Sequence, residues 1–196
     1  MTMRQRVLVA AQQRERMQLI EAVLTAADHR VVSTPILDSD LTLGVKRSQP
    51  DALIIEVAEP PPGMLGQWRK VLREQPLPIV VFADRSDAGS VRAAVEAGVS
   101  AYVVDGLRSE RVLPILEAAI TRFRQFKALR EQRDEAIERL AERRDIERAK
   151  GILMRRRDLA EHAAYDALRK MSMDRGARLI DVAQSIITAE ELLLST

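Results

Sequence analysis

Cationic side chains crowd the last quarter of the chain. Arg143, Arg144, Arg148, Lys150, Arg155, Arg156 and Arg157 fall along one stretch, and Arg169, Lys170, Arg175 and Arg178 along the next. Guanidinium and ammonium groups repeated along a helix make a stripe that neutralises phosphates. Lys150 and Arg157 lie two helical turns apart and share a face that Arg169 could join from a following helix. Tyr165 is the sole aromatic residue among these bases, since Tyr102 and all three phenylalanines lie upstream. A ring so placed either stacks on an unpaired base or fills a core with its hydroxyl hydrogen-bonded; the residues alone leave both open. Asp158, Glu161 and Asp181 are interspersed, and charge runs are usually solvated faces, so a positive surface has to come from folding.

The rest of the composition narrows the chemistry by exclusion. The chain has no cysteine, which rules out disulfides, thiolate metal sites and cysteine nucleophiles. His29 and His162 have no ligand-like spacing, so no zinc site is expected. The 196 residues suffice for one large domain or two small ones, and 46% apolar residues suffice for a core. With only 3% aromatics that core must be mainly Leu, Ile, Val and Ala. The formal net charge of +2 is near balance, so global basicity is a weak sign of a nucleic-acid partner. Val7–Ala11 is too short for a signal-peptide core or a membrane span. A cytoplasmic protein without a membrane partner is the expectation.

Elements must hold these groups in place, and the first 120 or so residues predict an α/β arrangement. Five short apolar runs recur: RVLVAA (6–11), RVVST (30–34), ALIIEV (52–57), PIVVFA (78–83) and AYVVD (101–105). Runs apolar on both faces, separated by helical patterns, predict a buried parallel sheet. Arg14–Ala27 places Met17, Ile20, Leu24 and Ala27 on one helical face, and Asp87–Ala97 places Val91, Ala94 and Val95 likewise. Pro50, Pro78 and Gly98 mark boundaries. The alternation predicts a doubly wound sheet of flavodoxin-like strand order. EPPPGMLG (59–66) reads as a stiff loop before a helix, or else a docking surface. Trp68 beside it reads as a core residue with a wet edge or as a protein–protein anchor.

Residues 109–148 contain no glycine, and Pro114 falls in the first turns of what reads as one long helix. Phe126, Leu129, Ala136 and Leu140 follow alternating three- and four-residue steps once Arg133 is placed on the same seam, which Arg133 and Arg143 interrupt. A short parallel coiled coil that makes a homodimer is the preferred reading; the other is a charged linker helix packed on its own domain. The remainder divides into three helices. Ile146, Ala149, Ile152 and Leu153 line the first; Ala164, Leu168 and Met171 the second, from near Ala160 to Met173. Val182, Ala183, Ile186 and Ile187 line the third, from near Leu179 to Leu193.

AKGILM (149–154), AYDALRKMSMD (164–174) and RLIDVAQ (178–184) resemble the ANTAR domain of the AmiR and NasR family of antiterminators, in its order and spacing. The resemblance implies an all-α three-helix RNA-binding module on a dimerising helix. It implies that the ligand is a hairpin element in a leader mRNA, whose binding prevents the overlapping terminator from forming. No bond is made or broken, so no catalytic residue and no cofactor are implied. Lys150, Arg155, Arg157 and Arg169 are then expected at phosphates and Tyr165 at a base, with Arg175 and Arg178 also expected in contact with the RNA. Ala149, Gly151 and Ala164 match small positions expected to serve close packing.

PDALIIEV and EAGVSAYVVDGL make residues 5–121 look like a response-regulator receiver domain. The resemblance places the phosphoacceptor position at Glu56, the metal-holding acidic pair at Ala11 and Gln12, the hydroxyl at Ala83 and the lysine at Asp105. Together these residues supply neither the carboxylates that magnesium wants nor the charge that stabilises a phosphoryl group. A pseudo-receiver is expected, in which Glu56 either ends a strand in a solvated rim or mimics a phosphorylated aspartate. VVDGL (103–107) resembles the NasT-like subgroup, which implies nitrate or nitrite control through a ligand-responsive sensor protein. The expected layout is a receiver-like domain over 1–121, a coiled-coil helix over 122–145 and an ANTAR domain over 146–196. Competing classes are a DNA-binding regulator, a phosphorylation-dependent two-component regulator and a protein-binding adaptor. Asp181, Glu190 and Glu191 on the third helix argue against DNA, the degenerate receiver positions against phosphorylation, and the basic clusters against the adaptor.

Overall fold

A computed structural model describes residues 4–35, 40–61 and 63–194. The chain forms two compact units, Met1–Lys127 and Ala128–Thr196. The first holds β1 (Arg6–Ala11), α1 (Arg14–Ala26), β2 (Arg30–Pro35), α2 (Leu41–Ser48), β3 (Ala52–Val57), α3 (Met64–Glu74), β4 (Ile79–Ala83), α4 (Ala88–Glu96) and β5 (Ala101–Val103). The helix α5 (Ser109–Arg157) runs from the first unit into the second, where α6 (Glu161–Arg175) and α7 (Leu179–Leu194) follow.

The five strands make one parallel sheet in the order β2-β1-β3-β4-β5, which is the flavodoxin-like order. Every residue of β3 and β4 is buried, as unbroken apolar runs in a parallel sheet require. Leu8, Ile55, Val81 and Trp68 belong to the core on one face; Val9, Ile54, Phe82 and Leu116 belong to the core on the other.

Several local expectations change. The strand expected from Pro78 begins at Ile79; Pro78 has no N–H for the ladder, and only its carbonyl is used, by the Leu53 amide. The run to Asp105 pairs only through Val103, and the chain turns at Asp105 and Gly106, both at positive φ. Val95 does not face the core but is 59% exposed, because the nine-residue α4 buries only Ala94. Trp68 is fully buried against Tyr102, with no wet edge and no anchor role. Pro60 and Pro61 belong to no helix or strand; Pro62 of the proline cluster lies outside the described residues.

Pro114 is accommodated in the first turns of α5, whose Val112, Leu116, Ala119 and Ile120 complete the core of the first unit. From Arg124 to Ala141 every residue is exposed, so the alternative of a helix packed on its own domain does not hold for this stretch. In the second unit Ala149, Ile152 and Leu153 of α5 meet Ala164 and Leu168 of α6 and Val182, Ala183 and Ile187 of α7. Those are the faces that the helical periodicity predicts. Gly176 ends α6 at a φ of 58°, where a side chain would be strained.

Candidate functional site: a sealed carboxylate pocket and an open cationic face

At the C-terminal edge of the sheet Glu56 is paired in register with Ala11 and Phe82 and is fully buried. The solvated-rim reading of this residue is therefore wrong: the end of β3 is covered by the β1–α1 turn and the first turn of α1. One carboxylate oxygen, Oε2, accepts from the backbone amides of Gln12 at 3.1 Å and Gln13 at 3.4 Å. The other, Oε1, accepts from Nη1 of Arg16 at 2.8 Å. The same nitrogen donates to Oδ1 of Asp84 at 2.6 Å. A buried carboxylate needs such partners, because taking it out of water without them costs on the order of several kcal/mol. The hydrogen bond to Asp84, with the help of Glu56, raises the Arg16 guanidinium further above its ordinary value, so it stays charged.

Ala11 and Ala83 are buried methyl groups that offer no ligand atom, and Asp105 is exposed beyond β5. Gln12 accepts the Ala58 amide on its side-chain oxygen at 2.8 Å, which ties the β1–α1 turn to the chain after β3. Among the described residues no group of three or more His, Cys, Asp or Glu could hold a metal ion.

The second unit presents a different surface. Tyr165 is 44% exposed, so the core alternative for its ring does not hold. It lies one turn before Arg169 on an exposed strip of α6 that flanks the buried Ala164 and Leu168. His162 and Met173, unremarked in the sequence for this role, are exposed on the same face. Their alignment follows from helical spacing once Ala164 and Leu168 are set inward. Arg155 and Arg157 are exposed at the end of α5, and Arg175 at the end of α6.

Lys150 departs from the expected stripe. Its side chain is only 11% exposed, and its ammonium contacts Glu147 at 2.5 Å and Glu161 at 2.8 Å. Those hydrogen bonds, Glu147 first, raise its pKa. The start of α6 covers Lys150, while Arg157, two turns on, sits past that cover at the last residue of α5. Lys150 and Arg157 thus share a face in helical phase without sharing solvent. Other bases are paired with acids: Arg148 with Glu191 and Arg156 with Glu190 across helices, and Arg178 with Asp181 three residues on. Ala149 and Ala164 are fully buried close contacts, whereas a Cβ on Gly151 would meet only the Arg155 guanidinium at 3.6 Å, so Gly151 serves no tight packing.

On α5 the seam residues Phe126, Leu129 and Leu140 are 54%, 63% and 68% exposed, and Ala136 is exposed with them. Ile137, absent from the expected seam, adds a further exposed apolar side chain at 58%. The residues that spacing did not reveal are Arg16 and Asp84. The available signal was electrostatic: a glutamate ending a buried strand, with no metal ligands beside it, demands a cation from the chain itself.

Comparison with known proteins bears on both units. The ANTAR domain family matches residues 134–187. The chain is 30% identical over 139 residues to the transcriptional regulatory protein PdtaR of Mycobacterium tuberculosis, covering 71% of this chain and 68% of that protein. It is 42% identical over 53 residues to the nitrate regulatory protein of Klebsiella oxytoca, covering 27% of this chain but 13% of that one. Among solved structures, NtrX from Brucella abortus in complex with ADP superposes with a TM-score of 0.55 at 16% identity, over 67% of this chain and 29% of that one. The signal receiver domain of a modulated diguanylate cyclase from Desulfovibrio desulfuricans G20 gives 0.54 at 13% identity, over 63% and 98%. At these identities the structures establish the receiver fold of the first unit and nothing finer. No helix among the described residues is long and apolar enough to cross a membrane.

Proposed function

The chain belongs to the ANTAR-domain transcriptional regulators, and on that premise we propose that it is an RNA-binding antiterminator. It holds a hairpin in a leader mRNA through α6 and the end of α5, so that the competing terminator hairpin does not form. The observation that carries this reading is the exposed Tyr165 ring one turn from Arg169, inside the matched segment. A flat ring beside a guanidinium suits an unpaired base next to its phosphate. Arg155, Arg157 and Arg175 supply further phosphate contacts. Lys150 and Arg178 contribute less, because carboxylates already engage them. Binding acts by mass action: whichever RNA fold is bound gains population. Transcription in vitro through a leader that carries the hairpins tests it, with RNA crosslinked to the protein in cells identifying the leader. Read-through should rise with protein, and duplex DNA of the same sequence should not compete. Competition by the duplex at equal concentration would move the reading to DNA.

The functional unit in this reading is a homodimer joined along α5 through Phe126, Leu129, Ala136 and Leu140, with Ile137 adding area. Replacing Leu129 and Leu140 by Asp would set charges against each other across a buried seam and should give a folded monomer by sedimentation. Wild-type protein that sediments as a monomer at micromolar concentration, with and without RNA, would refute the dimer.

Input comes from a sensor protein rather than from phosphorylation, and Glu56 stands at the acceptor position as a buried group whose two carboxyl oxygens are already partnered. Acetyl phosphate with magnesium should leave the intact mass unchanged; a phosphoryl adduct on an acid of the first unit would overturn this. The likeness to a nitrate regulatory protein makes nitrate or nitrite the first small molecules to try. The sensor is expected to co-purify in one of the two ligand states, and its absence from both would count against this control.

A further inference from the structure

The sealed pocket of the first unit has a feature that the RNA reading does not use. One nitrogen of Arg16 touches both Glu56 Oε1 and Asp84 Oδ1, so a single positive centre bridges two carboxylates from two strand ends. The loop after β4 is bound to the same neighbourhood a second time, because the amides of Asp84 and Arg85 donate to the Ala58 carbonyl at 3.1 and 3.0 Å. Further along it, Tyr102 donates to Ser86 Oγ at 2.9 Å, and Asp87 caps α4 by accepting from the Ser90 amide. Arg16 therefore sits where the β1–α1 turn, the end of β3 and the loop entering α4 converge.

We propose that Arg16 is the resident cation of this pocket, a covalently tethered substitute for a free ion, and that it latches the loop Asp84–Asp87 onto the end of β3. Two carboxylate oxygens within reach of one centre repel each other unless a positive charge lies between them. Glu56, with no exposure to water, relies on that charge and on two amides. A guanidinium with a raised pKa supplies the charge at every physiological pH, and the latch needs no ion from solution. Removal of the Arg16 side chain should leave an empty two-carboxylate site, open to a divalent cation of the hard, oxygen-seeking kind. The surface around α4 is then held in one state by the chain itself, and an external signal has to act elsewhere or break this latch.

The experiment compares full-length wild type, Arg16→Lys and Arg16→Ala, by melting temperature with and without manganese and by amide hydrogen exchange. Wild type should show no shift with manganese and protected amides at Asp84 and Arg85. Arg16→Ala should melt lower, regain part of the loss with manganese, and exchange those two amides faster by about tenfold or more, with β1 and β3 unchanged. Arg16→Lys should fall between the two. Equal manganese stabilisation of wild type and Arg16→Ala, or no manganese effect on Arg16→Ala, overturns the resident-cation assignment. Unchanged exchange at Asp84 and Arg85 overturns the latch. If Arg16→Ala does not fold, Asp84→Ala takes its place: it removes the acceptor that Arg16 holds in this loop but keeps the contact of Arg16 with Glu56, and its loop must exchange faster than wild type or the latch fails. None of these readouts involves RNA, so their failure leaves the antiterminator reading standing, and the reverse holds too.

Discussion

Glu56 and Tyr165 solve opposite problems. The glutamate is fully buried and meets all its needs within the chain, from Arg16, Gln12 and Gln13. The tyrosine is 44% exposed, and Arg169 beside it has no ion pair among the described residues. Polar groups that are satisfied internally close a site, whereas those left facing solvent keep interaction free energy for another molecule. The receiver-like unit has kept its fold while sealing the edge where its ligand chemistry would sit. The ANTAR unit has instead turned its cationic and aromatic groups outward and placed its acids against other bases.

The largest effect is expected from the core that holds the open face in place. Leu168 is fully buried between α5, α6 and α7 in a small unit with little apolar surface to spare. Leu168→Ala should cost about 2–5 kcal/mol, enough to unfold the second unit near room temperature while the receiver sheet persists. Two separate thermal transitions, with only the lower one moved, would sharpen the contrast between the units; a single shifted transition would show that they unfold together. Tyr165→Ala comes next. It removes an exposed ring, so circular dichroism and melting should barely change, and the loss should appear as about 1–3 kcal/mol of RNA affinity. That loss should fall hardest on the cognate loop, since bases carry the discrimination. A folded Tyr165→Ala protein that binds the cognate hairpin like wild type would end the stacking assignment and turn the search to Arg169 and Arg175.

How far the sequence reveals these two regions differs for a physical reason. Strand order, the long helix and the three inward helical faces follow from apolar periodicity, which is local. Ala164, Leu168, Val182 and Ala183 therefore fall where their spacing puts them. The Glu56 pocket depends on residues 40 and 28 positions away, Arg16 and Asp84, joined only by the crossover connections of the sheet. No window of sequence contains all three. Lys150 fails for a related reason: its helical phase is legible, but its cover by Glu161 depends on the angle at which α6 returns. Tyr165 could not be decided from spacing because it directly follows the buried Ala164, about 100° around the helix, and so borders the inward face.

A smaller effect is expected at Arg169. If it holds a phosphate, Arg169→Ala should weaken every RNA hairpin alike and reduce the slope of log affinity against log salt by roughly one unit or less. Measuring affinity across a salt series for a cognate and an unrelated hairpin separates this from a base contact. Weakening of the cognate hairpin alone would assign Arg169 to a base and make it, with Tyr165, part of the discriminating surface.

The smallest effect concerns the pair that removes Lys150 from that surface. The hydrogen bond that Lys150 donates lowers the Glu161 pKa, and its bonds to Glu147 and Glu161 raise the pKa of Lys150. A carboxyl with a depressed folded pKa gives stability that is present above its ordinary value and lost as pH falls through the folded one. An amine with a raised folded pKa gives stability that is present below its ordinary value and lost as pH rises through the folded one. The pair is therefore intact across the neutral range and fails first on the acid side. Glu161→Gln should flatten the fall in melting temperature on acidification by a small amount, since Glu161 is largely exposed and screened by water. RNA affinity should hardly move, because Glu147 still holds Lys150. A rise in the salt slope by about one unit in Glu161→Gln would instead show that the freed lysine reaches a phosphate. Lys150 would then be a latent member of the open face, and the division between satisfied and presented charge would be one that a single carboxylate can shift.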